Sequence, residues 1–121
     1  MCIDKKENER IKKIDDEWGV IREADKILPD NKHRLLFLRS IAELEDNECH
    51  ISRNFPISQL HKVDGIKNLS IYRAYIGKTS GWRIHLQYDK KSNYLKLKQV
   101  INRKRHDNCI DVINSHRHRY E

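Results

Sequence analysis

The chain has 121 residues, 36% charged and 37% hydrophobic, with 25 Lys/Arg against 18 Asp/Glu, a length that suits one domain with an economical core but not two. Its three cysteines, Cys2, Cys49 and Cys109, form no CxxC pair and leave an odd count, which argues against a disulfide framework and for a reducing cytoplasm. The chain is charged from Asp4 onward and never approaches the roughly 18 apolar residues of a membrane span, so a cytoplasmic protein without membrane contact is expected.

The charge is unevenly placed. Residues 1–48 hold ten Lys/Arg and thirteen Asp/Glu, whereas residues 49–121 hold fifteen and five. A basic half beside a mildly acidic one points to a dedicated surface for a polyanion, of which a phosphate backbone is the natural example.

In chain order, Ile11, Ile14, Trp18 and Ile21 recur at helical spacing and predict a first helix over residues 4–27, weakened by roughly 1 kcal/mol at Gly19. Pro29 ends it, and Asp30 is placed to cap a second helix over 31–46, with Leu35, Leu38 and Ile41 on its stripe. Acidic residues from Glu43 to Glu48 oppose the helix dipole, so that helix should stop near Glu45. Residues 47–68, with Pro56 and Gly65, read as a long loop containing a short helical turn.

Three strands then follow, at 69–77, 82–89 and 94–102. Tyr72, Ala74 and Ile76 alternate with Arg73 and Tyr75. Trp82, Ile84, Leu86 and Tyr88 alternate with Arg83, His85 and Gln87. In the third, Leu95, Leu97 and Ile101 share a face opposite Lys96, Lys98 and Asn102, and Gln99 is a misfit in the apolar row. Gly77–Gly81 and Asp89–Asn93 have hairpin lengths and turn residues, which makes the three strands an antiparallel meander. A short closing helix is predicted from about Asp107 to Asn114, then an exposed tail, Ser115 to Glu121.

The expected fold class is α+β: two N-terminal helices on one face of an antiparallel meander of at least three strands, a short C-terminal helix, and the second sheet face left for a ligand. Residues 1–29 form the first helix or a helical extension, and 30–121 the α+β domain, compact overall. His116 and His118 lack cysteine or carboxylate partners nearby, so no metal and no other cofactor is expected.

Three motifs stand out: Tyr72-Arg73-Ala74-Tyr75-Ile76, Gly81-Trp82-Arg83-Ile84 and the basic cluster Arg103-Lys104-Arg105-His106. Through them residues 30 to 115 resemble the RelE/ParE superfamily of toxins from bacterial and archaeal toxin–antitoxin pairs. The resemblance implies a small toxin held by a cognate antitoxin. The RelE-like branch cuts mRNA on the ribosome; the ParE-like branch poisons gyrase and is no nuclease. A catalytically inactive nucleic-acid-binding relative is a third reading.

Metal-free RNA cleavage uses the substrate's 2′-OH, a base, cations around the phosphorane and an acid for the leaving oxygen. Arg73 and Arg83 share a sheet face and suit phosphate oxygens. Arg73 sits where the RelE branch carries a lysine, and Arg83 matches the second-strand arginine. Arg103 or Arg105 would add a third cation. His106 falls where YoeB-like relatives carry a histidine, and an unperturbed imidazole exchanges protons near pH 6.5. His85 is a second imidazole on the Arg83 face. Tyr75 offers stacking or proton transfer, and Lys98, Lys104 and Arg105 extend the RNA-binding surface. The pattern also departs from the superfamily. Ser58 or Gln59 stands near a relative's glutamate, Cys109 where RelE has a tyrosine, and the usual opening strand has no place before the first predicted helix. Each singled-out residue also has a plain structural reading: Arg73 and Arg83 as solvated outward side chains of a one-sided sheet, His85 as a surface strand residue, Tyr75 as an exposed aromatic, and His106 as a cap or surface residue of the last helix.

Overall fold

The computed structural model describes residues 10–63, 69–77, 79–102, 113–114 and 116–120. In these the elements are β1 (Ile14–Asp15), α1 (Val20–Ile27), α2 (Asn31–Leu44), α3 (Asn47–Ser52), β2 (His61–Lys62), β3 (Tyr72–Tyr75), β4 (Arg83–Tyr88), β5 (Leu95–Ile101) and α4 (Arg117–Tyr120). One five-stranded sheet has the order β1-β5-β4-β3-β2. The strands β2 to β5 form an antiparallel meander, and β1 adds to it parallel to β5.

The predicted helix over 4–27 is not a single element. Asp16 intercepts it: its carboxylate accepts from the backbone N–H groups of Val20 and Ile21 at 2.6 and 3.0 Å. Gly19 adopts a left-handed φ of 67° just before α1, a conformation glycine takes at little cost. The stripe that placed Ile11 and Ile21 in the core is replaced by Val20, Ala24 and Leu28, spaced by four, while Ile11 and Ile21 stay exposed. Upstream, Ile14 pairs with Leu95 as β1, so an opening strand is present where the helical spacing left no room for one. The second predicted helix is found. The Asp30 carboxylate accepts from His33 N at 2.9 Å, and α2 ends at Leu44 with Glu45 as its cap.

The core lies on one face of the sheet. Val20, Ala24 and Leu28 of α1 with Phe37, Ile41 and Leu44 of α2 cluster with Ala74, Ile76, Ile84, Leu86, Leu95, Leu97 and Val100. The close approach of α2 requires Gly77: at φ 71° it faces Leu36, whose Cδ1 would lie 2.9 Å from an added Cβ. Glu43, buried on α2, fixes the loop before β2 by accepting from Ile57 N, Ser58 N and Ser58 Oγ. A second anchor is His50. Its Nε2–H donates to Leu44 O at 2.7 Å, so Nδ1 accepts from the Tyr88 hydroxyl, also at 2.7 Å.

Gln99 is no misfit. The β4–β5 register shifts between His85 and Leu86, so Leu86 pairs with Leu97 but His85 pairs with Gln99, leaving Lys98 as the extra residue of a bulge. One extra residue reverses the facing of everything after it. Val100 therefore joins the core, and Ile101, expected there with Leu97, instead pairs with Arg83 on the second face. The tail is exposed only in part: Arg117 and His118 face solvent, but Tyr120 is 1% exposed and packs with Ile71 and Ile113 on that second face.

Candidate nucleic-acid interface

Pairing builds the second face in rows. His61, Arg73, His85 and Gln99 are successive cross-strand partners in one row. Tyr75, Arg83 and Ile101 make the next, and Gln87 with Lys96 lies in the row beyond His85. Alternation along β3 and β4 puts Arg73, Tyr75, Arg83 and His85 on this face, as their sequence pattern predicted.

Four of these side chains form an accessible group at the β2–β3–β4 end. The Arg83 guanidinium carbon lies 4.0 Å over the centre of the Tyr75 ring, and its Nη1 donates to Trp82 O at 3.0 Å. Tyr75 thus holds Arg83 in place, at a geometry where a cation and an aromatic face attract. Arg73 is the diagonal neighbour of Arg83, which sets the two residues roughly 7–8 Å apart, with their Cβ atoms somewhat closer. His61 stands opposite Arg73 and packs its ring edgewise on Tyr75, centroids 5.8 Å apart. Its Nδ1 lies 2.9 Å from Gln59 O, so that nitrogen carries the proton and Nε2 presents a lone pair. His61 is exposed; Arg73, Tyr75 and Arg83 are half-buried. Two guanidinium groups, an imidazole of fixed tautomer and a phenol together can grip a phosphate and move a proton beside it.

The other predicted site residues fall elsewhere. His85 is fully buried, its Nδ1 2.9 Å from the Tyr120 hydroxyl, so the predicted contact between His85 and RNA is corrected to a place beneath α4. Lys98, at the bulge, is 4% exposed and lies in the region of Gln87 and Lys96, away from Arg83. Burial, then the neighbouring Lys96, pulls its ammonium below the usual lysine range. Arg103, Lys104, Arg105 and His106, and Cys109, lie outside the described residues. Ser58, near a relative's glutamate, is buried and bonded to Glu43, and its carbonyl accepts from Tyr75 N at 2.6 Å.

Two participants were missed from sequence. His61 sits on a strand of two residues, too short for alternation to register. Tyr120 sits in a tail whose polar composition hides one buried aromatic. Its hydroxyl donates to Gln99 Oε1 at 3.1 Å, so His85 Nδ1–H donates to the Tyr120 oxygen. Gln99 Nε2 continues the chain to His116 Nδ1 at 3.1 Å, and Arg119 bonds Glu23 of α1 and Lys98 O. This chain of bonds clamps α4 over the middle row of the face.

No family model and no curated protein matches the chain. Among solved structures, it is similar to a chain of the archaeal RelE–RelB complex from Pyrococcus horikoshii OT3, with a TM-score of 0.53 and 19% sequence identity, over 78% of this chain and 98% of that one. With α1 and α2 packed on one face of a mixed five-stranded sheet, the chain has a RelE-like fold.

Proposed function

We propose that this protein is the toxin of a type II toxin–antitoxin pair and a metal-free endoribonuclease that cleaves mRNA, on the ribosome, and thereby stops translation. The observation that carries the reading is the group of Arg73, Arg83, Tyr75 and His61 on the accessible end of the second sheet face. The RelE-like fold supports it, and the similar solved chain, which belongs to a RelE–RelB complex, supports an antitoxin as partner.

In this mechanism the 2′-oxygen attacks the adjacent phosphorus, the bond from phosphorus to the 5′-oxygen breaks, and a 2′,3′-cyclic phosphate and a 5′-hydroxyl result. His61 Nε2 takes the 2′-OH proton, since Gln59 O keeps Nδ1 protonated. Arg73 and Arg83 neutralise the charge gathering on the phosphorane. Tyr75 positions Arg83 rather than serving first as a stacking platform. His106 is the proposed acid for the leaving oxygen, Arg103 the proposed third cation at the phosphorane, and Lys104 and Arg105 hold the flanking RNA.

A translation extract tests this. Purified protein should halt synthesis and leave mRNA nicked within codons, with cyclic-phosphate ends. Arg83→Ala and His61→Ala should each slow cleavage about 100-fold or more, the usual contribution of a charge-stabilising or proton-transferring group. Intact transcripts with the wild-type protein would end the nuclease reading. A ParE-like gyrase poison is the second reading, favoured by one observation: α4 covers the middle row of the face that RNA would cross. Inhibited supercoiling without RNA breakage would select it.

A further inference from the structure

The sheet's second face carries another cationic feature, away from the Arg73–Arg83 group. A groove of about 540 Å³ opens beside Tyr120, and Lys90, Lys91, Lys96 and Lys98 all line it, with Gln87 on its floor. Its acid, Asp89, is already engaged. The carboxylate accepts from Ser92 N at 2.8 Å and Ser92 Oγ at 2.7 Å and lies 3.9 Å from Lys96 Nζ. Lys98 is the telling member. The bulge takes it out of the pairing register, it is only 4% exposed, and it makes no ion pair among the described residues. Asp15, Glu17 and Asp89 favour its charge from nearby without forming an ion pair with it among the described residues, but burial and Lys96 outweigh them, so an anion entering the groove would stabilise the ammonium.

We infer that this groove is a phosphate-binding subsite, occupied by the backbone of the same RNA strand whose scissile bond lies at Arg73 and Arg83. The inference rests on the nuclease reading for the identity of the strand. The geometry sets the spacing: Gln87 is four residues beyond Arg83 on β4, roughly 13 Å at about 3.3 Å per residue. A strand stacked at a rise of roughly 3.4 Å covers that distance in about four nucleotides, and a more extended strand in fewer. Half-buried Arg73 stands in the row between, so the cations form a track past the edge of α4. The subsite takes any backbone phosphate at that distance and carries no base preference.

The test uses the full chain and uncleavable 2′-O-methyl oligoribonucleotides of three and eight nucleotides, with binding followed by fluorescence anisotropy across a salt series. Lys90→Gln/Lys91→Gln removes two exposed cations without touching the core; Lys98→Met keeps the buried stem and removes the charge. For the octamer, the double variant should flatten the slope of log K against log salt by about 1.4, roughly 25-fold in affinity between 0.1 M and 1 M salt. Lys98→Met should flatten it by about 0.7. Trimer binding should be unchanged in both. Octamer binding indifferent to these changes yet weakened by Arg83→Ala overturns the subsite and leaves the nuclease reading standing. Equal losses for trimer and octamer overturn it too, because the lysines then act as general surface charge. Wild-type protein that binds neither oligonucleotide overturns the subsite, and the translation extract then decides the nuclease reading separately.

Discussion

Replacing Tyr120 by phenylalanine isolates what clamps α4 onto the sheet. The ring stays, with its packing on Ile71 and Ile113, and only the hydroxyl goes. That oxygen accepts from His85 Nδ1 at 2.9 Å and donates to Gln99 Oε1 at 3.1 Å, both from fully or nearly fully buried partners. Leaving a buried donor and acceptor without this partner costs about 1–3 kcal/mol. For a domain of this size, that is a fall in Tm of roughly 3–15 °C. Urea denaturation followed by tryptophan fluorescence measures it, with the midpoint falling at constant m. Tyr120→Ala should cost more, about 3–5 kcal/mol, because an aromatic side chain leaves the core as well. If Tyr120→Phe matched the wild type within about 0.5 kcal/mol, and Tyr120→Ala cost no more than an exposed substitution, α4 would not be clamped and the second face would be open along its length.

Acidification should weaken the protein through His50. Burial is the main cause holding its imidazole below the usual histidine range, opposed by its bond to Leu44 O, with Lys12 and Arg53 nearby also disfavouring the cation. The unfolded chain therefore binds this proton at higher pH than the folded one, so the penalty is absent above about pH 6.5 and lowers stability as pH falls from there to the depressed folded value. His50→Gln should show a shallower decline in urea stability between about pH 6.5 and 5 than the wild type; parallel declines would refute the assignment. At Gly77, alanine should cost about 2–4 kcal/mol, from the left-handed φ and the contact with Leu36. Gly19→Ala, equally left-handed but with nothing within 4 Å, should cost about 1–2 kcal/mol, and equal values by thermal melts would contradict that packing.

Whatever local periodicity encodes could be taken from the residues in order. Alternation over Tyr72–Tyr75 and Arg83–Tyr88 placed Arg73, Tyr75 and Arg83 on the face away from Ala74, Ile84 and Leu86, and Asp30 marked the start of α2. These features depend on neighbours two to four positions apart, so a single chain displays them. Contacts between distant residues decided the rest. A two-residue β1 exists because Leu95 pairs with Ile14, and His61 joins the site because β2 pairs with β3 at Arg73. The bulge at Lys98 left a trace in the sequence, the polar Gln99 in an apolar row, but only the pairing of β4 with β5 shows which residues changed sides. Tyr120 finds partners at His85 and Gln99, 35 and 21 positions away. The hydrogen-bonding needs of those buried groups, invisible until the sheet forms, turn a polar tail into the cover of its central row.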